Sequence, residues 1–303
     1  MDGHAPEPAQ AGTSYLKHLP RYCPMCGVQV TAARRTTTTC SRECRISDFA
    51  SRWSLGATTD PWALASPTHY GPLGWAMRLD ADVPAWVWGI GYATVWHGVA
   101  TALTRDPHGR DAKFSSWPGA RCWWLLTHGA EAAKLLADRR VHQRIGPASR
   151  LLSIGPALAV AAPAARAPGR YRVTIATETP VLIRAEGEGR EERRTQHAPT
   201  ESGLSSTLAR TIAVRLGITA LLPEIVPVRV LFDRTQPACV EVSSKRHVHK
   251  IGGDGRLRGW TGIVQVETSA VGAWLMEAAV GVGLGGRSAM GCGRIAVEMH
   301  DGR

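Results

Sequence analysis

No segment of this 303-residue chain approaches the ~18 uninterrupted apolar residues that a membrane-spanning helix needs. The longest candidate, Leu151 to Ala165, is short and is broken by Gly155, Pro156 and Pro163. Residues 1–13 carry Asp2 and Glu7 and hold no apolar core, so no secretory signal is expected there. Cysteine is sparse, and seven are too few for a disulfide scaffold in a chain of this size. Acidic residues are also in short supply: 25 Asp and Glu stand against 36 Lys and Arg, a formal net charge of +11. These absences predict a soluble, cytoplasmic chain with no membrane partner.

What is present is globular. Hydrophobic residues make up 44% and charged residues 20%, which argues against intrinsic disorder. The length allows two domains and a small appendage. The positive excess favours a polyanionic partner, and nucleic acid is the usual one.

Four of the seven cysteines have metal-ligand spacing. Cys23-Pro-Met-Cys26-Gly is a C-x-x-C knuckle, and Cys40-Ser-Arg-Glu-Cys44 supplies the second pair. Two close pairs separated by a loop can set four thiolates at the corners of a tetrahedron, the geometry of structural zinc. Gly27 permits the tight turn, and a helix expected over Ser41 to Ser54 turns its positive end toward the thiolates. Four protein ligands leave no open position, so the zinc is expected to be structural and no catalytic metal is expected. Arg34, Arg35, Arg42, Arg45 and Arg52 surround the finger, either touching nucleic acid or a partner or forming a solvated surface. Cys122, Cys239 and Cys292 sit in apolar surroundings and are expected to be small core residues.

The pattern predicts an α+β chain in three parts: a treble-clef or zinc-ribbon-like finger with its linker over 1–60, and two ferredoxin-like domains over 70–165 and 170–303. Linkers are expected over 55–70 and over Pro163 to Gly169. In the first domain Trp75–Leu79 and Arg121–Thr127 are expected as strands, Trp86–Leu103 and Ala130–Arg139 as helices, with a closing strand inside Leu151–Ala162. In the second, Tyr171–Ala176, Val226–Phe232, Ala238–Ser243, Gly259–Thr268 and Arg294–Met299 are expected as strands. Thr200 or Ser202 should cap a helix with the apolar stripe Leu204, Leu208, Ile212 and Leu216, and Ala270–Val280 should form another. Nine of the eleven tryptophans fall between residues 53 and 124, as core or interface residues or as a base-stacking platform.

The stretch from Gly281 to Ile295 has glycine at 281, 283, 285, 286, 291 and 293, with Arg287 and Arg294 among them. Such a loop can free backbone amides to line an anion-accepting nest, or it can be a tight packing turn. It has no Gly-Lys-Ser/Thr and so does not fit a Walker loop. It resembles the glycine-rich loop of the RAMP superfamily of CRISPR-associated proteins. Three further segments, in the right order, are similar to the repeat-processing endoribonucleases of that superfamily. They are Thr174 to Arg184, the basic run Ser243-Ser244-Lys245-Arg246, and Gly259-Trp260-Thr261-Gly262. The resemblance covers about residues 171–298, and the finger is an addition to the family's pattern.

The resemblance implies a nuclease that cuts precursor CRISPR RNA within its repeats by 2′-hydroxyl attack, without a metal. It implies CRISPR repeat RNA and the other subunits of a class 1 effector complex as partners. The alternative is a non-catalytic RAMP subunit that binds guide RNA and scaffolds such a complex. The family's catalytic histidine lies in or near the first helix of the first domain, the place His97 occupies here. Val95, Val99 and Leu103 mark that helix's expected apolar stripe, which leaves His97 on another side among small residues. Tyr92 is the candidate for positioning the nucleophile or leaving group, unless it is a core residue, and His247 is the runner-up catalyst. Lys245, Arg246, His247, His249 and Lys250 precede Gly252-Gly253-Asp254-Gly255, a candidate hairpin tip, with Arg256 and Arg258 beyond it. A basic extended hairpin of this kind can straddle a phosphate backbone. Together with Gly283, Gly285, Gly286, Arg287, Gly291, Gly293 and Arg294, these are the expected RNA contacts.

Overall fold

A computed structural model describes residues 23, 28, 30, 41–52, 60–68, 71–104, 114–128, 130–145, 147–183, 197–216, 221, 223–241, 256–286 and 288–300. They form a mixed structure of helices and two antiparallel sheets. The first sheet contains β1 (Pro72–Ala81), β2 (Phe114–Gly119), β3 (Cys122–Thr127), β4 (Arg140–Ile145), β5 (Ala148–Ile154) and β6 (Leu158–Ala161). Its order is β2-β3-β1-β5-β4. β5 and β6 share one edge of β1: Leu79–Ala81 pairs with β5 and Pro72–Ala76 with β6. The helices are α2 (Ala93–Thr104), after β1, and α3 (Ala130–Leu136), after β3.

Alternation along the strands sets which side is dry. Met77, Leu79, Trp123, Leu125, Leu152 and Ile154 turn to one face, and Trp96, Val99 and Ala100 of α2 pack there. Trp88, Trp96 and Trp123 stack with centroids 4.7 and 5.6 Å apart, all three buried. For these three, burial settles the choice in favour of core over a base-stacking platform.

The second sheet contains β7 (Arg170–Thr177), β8 (Val228–Glu241), β9 (Arg256–Ser269) and β10 (Ile295–His300), in the order β10-β7-β9-β8. Between β7 and β8 runs α4 (Glu201–Ser206), capped by Thr200, whose hydroxyl accepts from the Gly203 amide at 3.1 Å. It continues through a π-helical stretch, Thr207–Ile212, into α5 (Ala213–Arg215). The stripe Leu204, Leu208, Ile212 and Leu216 is buried. α6 (Ala270–Val282), capped by Ser269, is apolar nearly all round because it lies between its own sheet and the first one. Leu73, Ala76 and Leu126 of the first sheet join the core cluster to which α6 contributes Val271, Trp274 and Val282. The two units therefore share a dry seam.

Several elements differ from expectation. Val226–Phe232 and Ala238–Ser243 are not two strands: β8 runs unbroken from Val228 to Glu241, with a bulge between Val230 and Phe232. Pro237 is tolerated because β8 is an edge strand, where a missing N–H breaks no ladder. Two short turns, Ala85–Trp88 and Ile90–Tyr92, precede α2 where one long helix was expected, since Gly89 and Gly91 interrupt it. β2 and β4 are additional strands. Cys122 and Cys292 are buried as expected, but Cys239 is exposed on the edge strand. The described parts of the two expected linkers bond to each other. Ser66 donates its amide to the Arg166 carbonyl at 3.0 Å, and its hydroxyl accepts from the Arg166 amide at 2.6 Å. The helix that follows the start of the second cysteine pair, α1 (Arg42–Arg52), buries Ile46 in the core of the second unit. No described helix is long and apolar enough to cross a membrane.

Candidate functional site

α2 carries His97 on its flank. The buried stripe of this helix is Trp96, Val99 and Ala100, with Val95 and Leu103 only partly covered, so it is rotated from the expected Val95–Val99–Leu103 line. His97 borders that stripe half-buried, its ring centroid 5.9 Å from Phe114 of β2 at 30°. Next to it Gly98 is exposed, with nothing within 4 Å of where a side chain would begin. α2 also packs on the turn Ser288–Met290 of the glycine-rich stretch, whose Met290 is buried with Trp96 and Val99. The imidazole thus sits near the seam between the units. Tyr92 is not a core residue: it is 36% exposed, and its ring lies 4.7 Å from that of Trp86.

β8 and β9 form a long two-stranded ribbon paired from Val228↔Thr268 to Glu241↔Arg256. Its far end leans on the first unit. Val240 is buried in the core cluster of Val87, Trp88 and Trp96, and β8 contacts the Ile90–Tyr92 turn just ahead of α2. Lys245, Arg246, His247, His249 and Lys250 follow this docked end in the chain but lie outside the described residues. Arg256 opens β9, and Arg258 is exposed opposite Cys239.

The glycine-rich stretch is not an open nest. The Gly283 amide donates to Ala279 at 2.7 Å, Gly286 to Leu182 at 2.7 Å, Gly291 to Ser288 at 3.1 Å and Gly293 to Pro180 at 2.8 Å. These four amides are spent inside the protein. Gly285 (φ +86°) and Gly293 (φ +79°) are left-handed, and a Cβ on either would strike backbone of Leu182 or Leu284. A Cβ on Gly291 would crowd Ile90, Pro118 and Trp123 across the seam at 3.0–3.2 Å. Arg294 is likewise committed: it bonds Glu178 at 3.2 Å and the Val280 carbonyl, and its guanidinium lies 4.8 Å from the Trp117 ring centroid. Of the expected RNA contacts, Gly283, Gly286, Gly291, Gly293 and Arg294 are engaged within the protein in this structure. Arg287 lies outside the described residues.

Behind the stretch sits a residue that the sequence reading passed over. Arg215 is buried and reaches the carbonyls of Gly283 and Gly285 at 2.6 Å each, and that of Val282 at 3.4 Å. Burial pushes its guanidinium down to about 10, so it remains charged at neutral pH. Ser115 of β2 donates to the same Val282 carbonyl at 2.8 Å. The only sequence signal for Arg215 is its place one residue before the end of the stripe at Leu216.

His128 is close enough to feel that charge. Its Nδ1 lies 3.2 Å from the Leu73 carbonyl, and its buried Nε2 has no hydrogen-bond partner. Burial, and then the Arg215 charge, push its pKa below the ordinary value, against the pull of the Leu73 carbonyl. The unfolded chain, with an ordinary histidine near 6.5, then binds a proton more readily than the native one. Stability should be complete above about pH 6.5 and fall as the pH drops below it, by at most about 1.4 kcal/mol per pH unit for one group. Urea unfolding of wild type and His128→Gln from pH 7.5 to 5 should show a steeper loss for wild type. Parallel curves would remove His128 from the account.

Of the four expected zinc ligands, Cys26 and Cys40 lie outside the described residues. Cys23 is buried and donates its amide to the Val28 carbonyl at 2.8 Å. Cys44 sits half-buried in the first turn of α1, its amide held by the Ser41 hydroxyl at 3.1 Å.

No protein-family model matches the chain, and no curated protein matches it. Among solved structures, it is similar to an RAMP protein binding different RNA substrates, at 9% identity and TM-score 0.46, covering 74% of this chain and 99% of that one. It is similar to a Cas6 product complex, at 14% identity and TM-score 0.46, over 74% and 100%. A protein from a Cas6-related gene of Pyrococcus furiosus overlaps at 12% identity and TM-score 0.43, over 74% and 98%.

Proposed function

We propose that the chain is a metal-independent endoribonuclease of CRISPR RNA maturation, built as two ferredoxin-like units behind an N-terminal zinc finger. It cuts precursor CRISPR RNA within the repeat, stays on the stem-loop of its product and joins the other subunits of a class 1 effector complex. One observation carries the reading: the β8–β9 ribbon docks Val240 beside Ile90–Tyr92, so the described end of β8, which the basic run 245–250 follows in the sequence, lies next to the helix that bears His97. A cationic arm to hold phosphates and an imidazole to move protons then serve one strand. The motifs of residues 171–298, the strand–helix–strand–strand–helix–strand order of the second unit, with which the first unit also begins before adding β5 and β6, and the net charge of +11 support it.

In the reaction the ribose 2′-oxygen bonds to the adjacent phosphorus while the bond to the 5′-oxygen breaks, leaving a 2′,3′-cyclic phosphate and a 5′-hydroxyl. A base takes the 2′-hydroxyl proton, and an acid supplies one to the leaving oxygen. His97 performs one of these transfers, because an imidazole can take or give a proton near neutral pH. Tyr92 is exposed and paired with Trp86, and it takes no part in the proton transfers in this reading. The basic residues 245–250 and Arg258 bind backbone. The test is cleavage of the repeat RNA in EDTA by wild type and His97→Ala. A discrete cut with a cyclic-phosphate end supports the nuclease, and binding without any cut selects the non-catalytic scaffold.

Cys23, Cys26, Cys40 and Cys44 hold one structural zinc in this reading, supported by the Cys23–Val28 turn and by Cys44 in the first turn of α1. Comparable thiolate sites contribute on the order of 10 kcal/mol to folding. Native mass spectrometry should find one zinc per chain, lost in Cys44→Ser. A fully folded, zinc-free wild type would overturn the finger.

A further inference from the structure

Beside α2 lies a cavity of about 230 Å³. Trp86 and Tyr92 line it together with Val83, Val95, Ile145 and Arg150. Trp86 is 60% exposed and Tyr92 36%, an unusual cost for two large aromatic rings only 4.7 Å apart. The cavity is smaller than the ~300–1,000 Å³ typical of drug-sized ligand sites, and its size suits a single flat ring system.

Charge says what that ring belongs to. Between Asp138 and Glu178 the chain has no acidic residue, while Arg139, Arg140, Arg144 and Arg150 fall on or just before the β4–β5 hairpin that walls the cavity. None of Arg139, Arg140 and Arg150 forms an ion pair among the described residues, and all three are exposed. An apolar slot with two exposed aromatics, bordered by unneutralised arginines, complements a polyanion that carries flat rings. Single-stranded RNA bases stack on aromatic side chains while the backbone follows a cationic track.

We infer that this cavity is a base pocket: one unpaired nucleobase of the RNA seats against Trp86 and Tyr92, with its flanking phosphates on Arg150 and the β4–β5 hairpin. The inference rests on the RNA-processing reading and adds a specificity site to it. Val95 faces the pocket, and His97 lies about 200° farther round α2. The pocketed base is therefore read away from the bond that is cut. The pocket governs affinity and register, and the chemical step should be indifferent to it.

The test uses the full chain and repeat RNA carrying a single abasic site at each unpaired position in turn. For wild type, one position should stand out, its abasic form binding about 5- to 150-fold more weakly. Trp86→Ala should bind the intact RNA equally weakly and be blind to that abasic position, with its single-turnover rate at saturating protein unchanged. Trp86→Phe, which keeps a ring, should restore the position's effect, and Arg150→Gln should flatten the salt dependence of binding. If wild type and Trp86→Ala share one abasic profile while wild type still binds and cuts, the base pocket is wrong, an apolar protein segment becomes the fitting occupant and the nuclease reading survives. If wild type neither binds nor cuts any repeat RNA, the nuclease reading itself fails, and the pocket inference falls with it.

Discussion

Gly293→Ala is expected to destabilise the chain by about 3–5 kcal/mol, a large share of the ~5–15 kcal/mol that holds a typical domain. Its φ of +79° costs an L-residue about 1–2 kcal/mol. The Cβ would then lie 1.9 Å from the Leu284 carbonyl oxygen, which is backbone and cannot swing aside. Relief would stretch the 2.7 Å bond from the Leu284 amide to the Gly293 carbonyl and the 2.8 Å bond from Gly293 to Pro180. Those bonds hold the stretch whose carbonyls at 283 and 285 receive the buried Arg215 cation, so a shift there would also disturb a desolvated charge. Gly286→Ala is the control: its Cβ would meet the Leu182 oxygen at 3.5 Å, an ordinary contact, and should cost under about 1 kcal/mol. Urea titration of both variants measures the difference. Equal midpoints would show that the stretch is not packed as described.

The contrast between that stretch and the helices shows where sequence reasoning reaches. Leu204, Leu208, Ile212 and Leu216 repeat every fourth residue behind a threonine cap, and periodicity plus capping is local information. The buried stripe and the Thr200 cap followed from it. The glycine-rich stretch has no period. Glycine frees the backbone whether its amides face a ligand or fold inward, and only the carbonyls of Pro180 and Leu182, about a hundred residues away, decide between the two. Pro237 shows another limit: a proline inside β8 is compatible with the strand because β8 is an edge and needs no amide there. The interruption of the expected helix at Gly89 and Gly91 was visible in the sequence, whereas the burial of Trp96 in place of Val95 was not. The arginines of the β4–β5 hairpin were equally visible as a run without acids. Their meaning depended on β4, a strand whose polar alternation of Arg140, His142 and Arg144 resembles a loop until β5 pairs with it.

Replacing His97 with alanine should slow repeat cleavage by roughly 10²–10⁴-fold in single-turnover assays, the usual worth of a positioned acid or base. The variant should fold. His97 borders the buried stripe rather than filling it, since Trp96, Val99 and Ala100 make the core contact while the imidazole's ring neighbour is Phe114 at 5.9 Å. Affinity for the repeat should change little, because the proposed backbone contacts are the basic residues 245–250 and Arg258 and not one imidazole. EDTA should leave wild-type cleavage intact, as the only metal proposed is enclosed by four thiolates. A 2′-deoxy nucleotide 5′ of the cut should abolish the reaction, because it removes the nucleophile. These outcomes separate the alternatives. Wild-type speed in His97→Ala moves the proton transfer to another group, and His247, on the arm that follows β8, is the next to replace. A wild type that binds the repeat tightly and leaves it whole is the scaffold, and His97 is then one more residue along the seam.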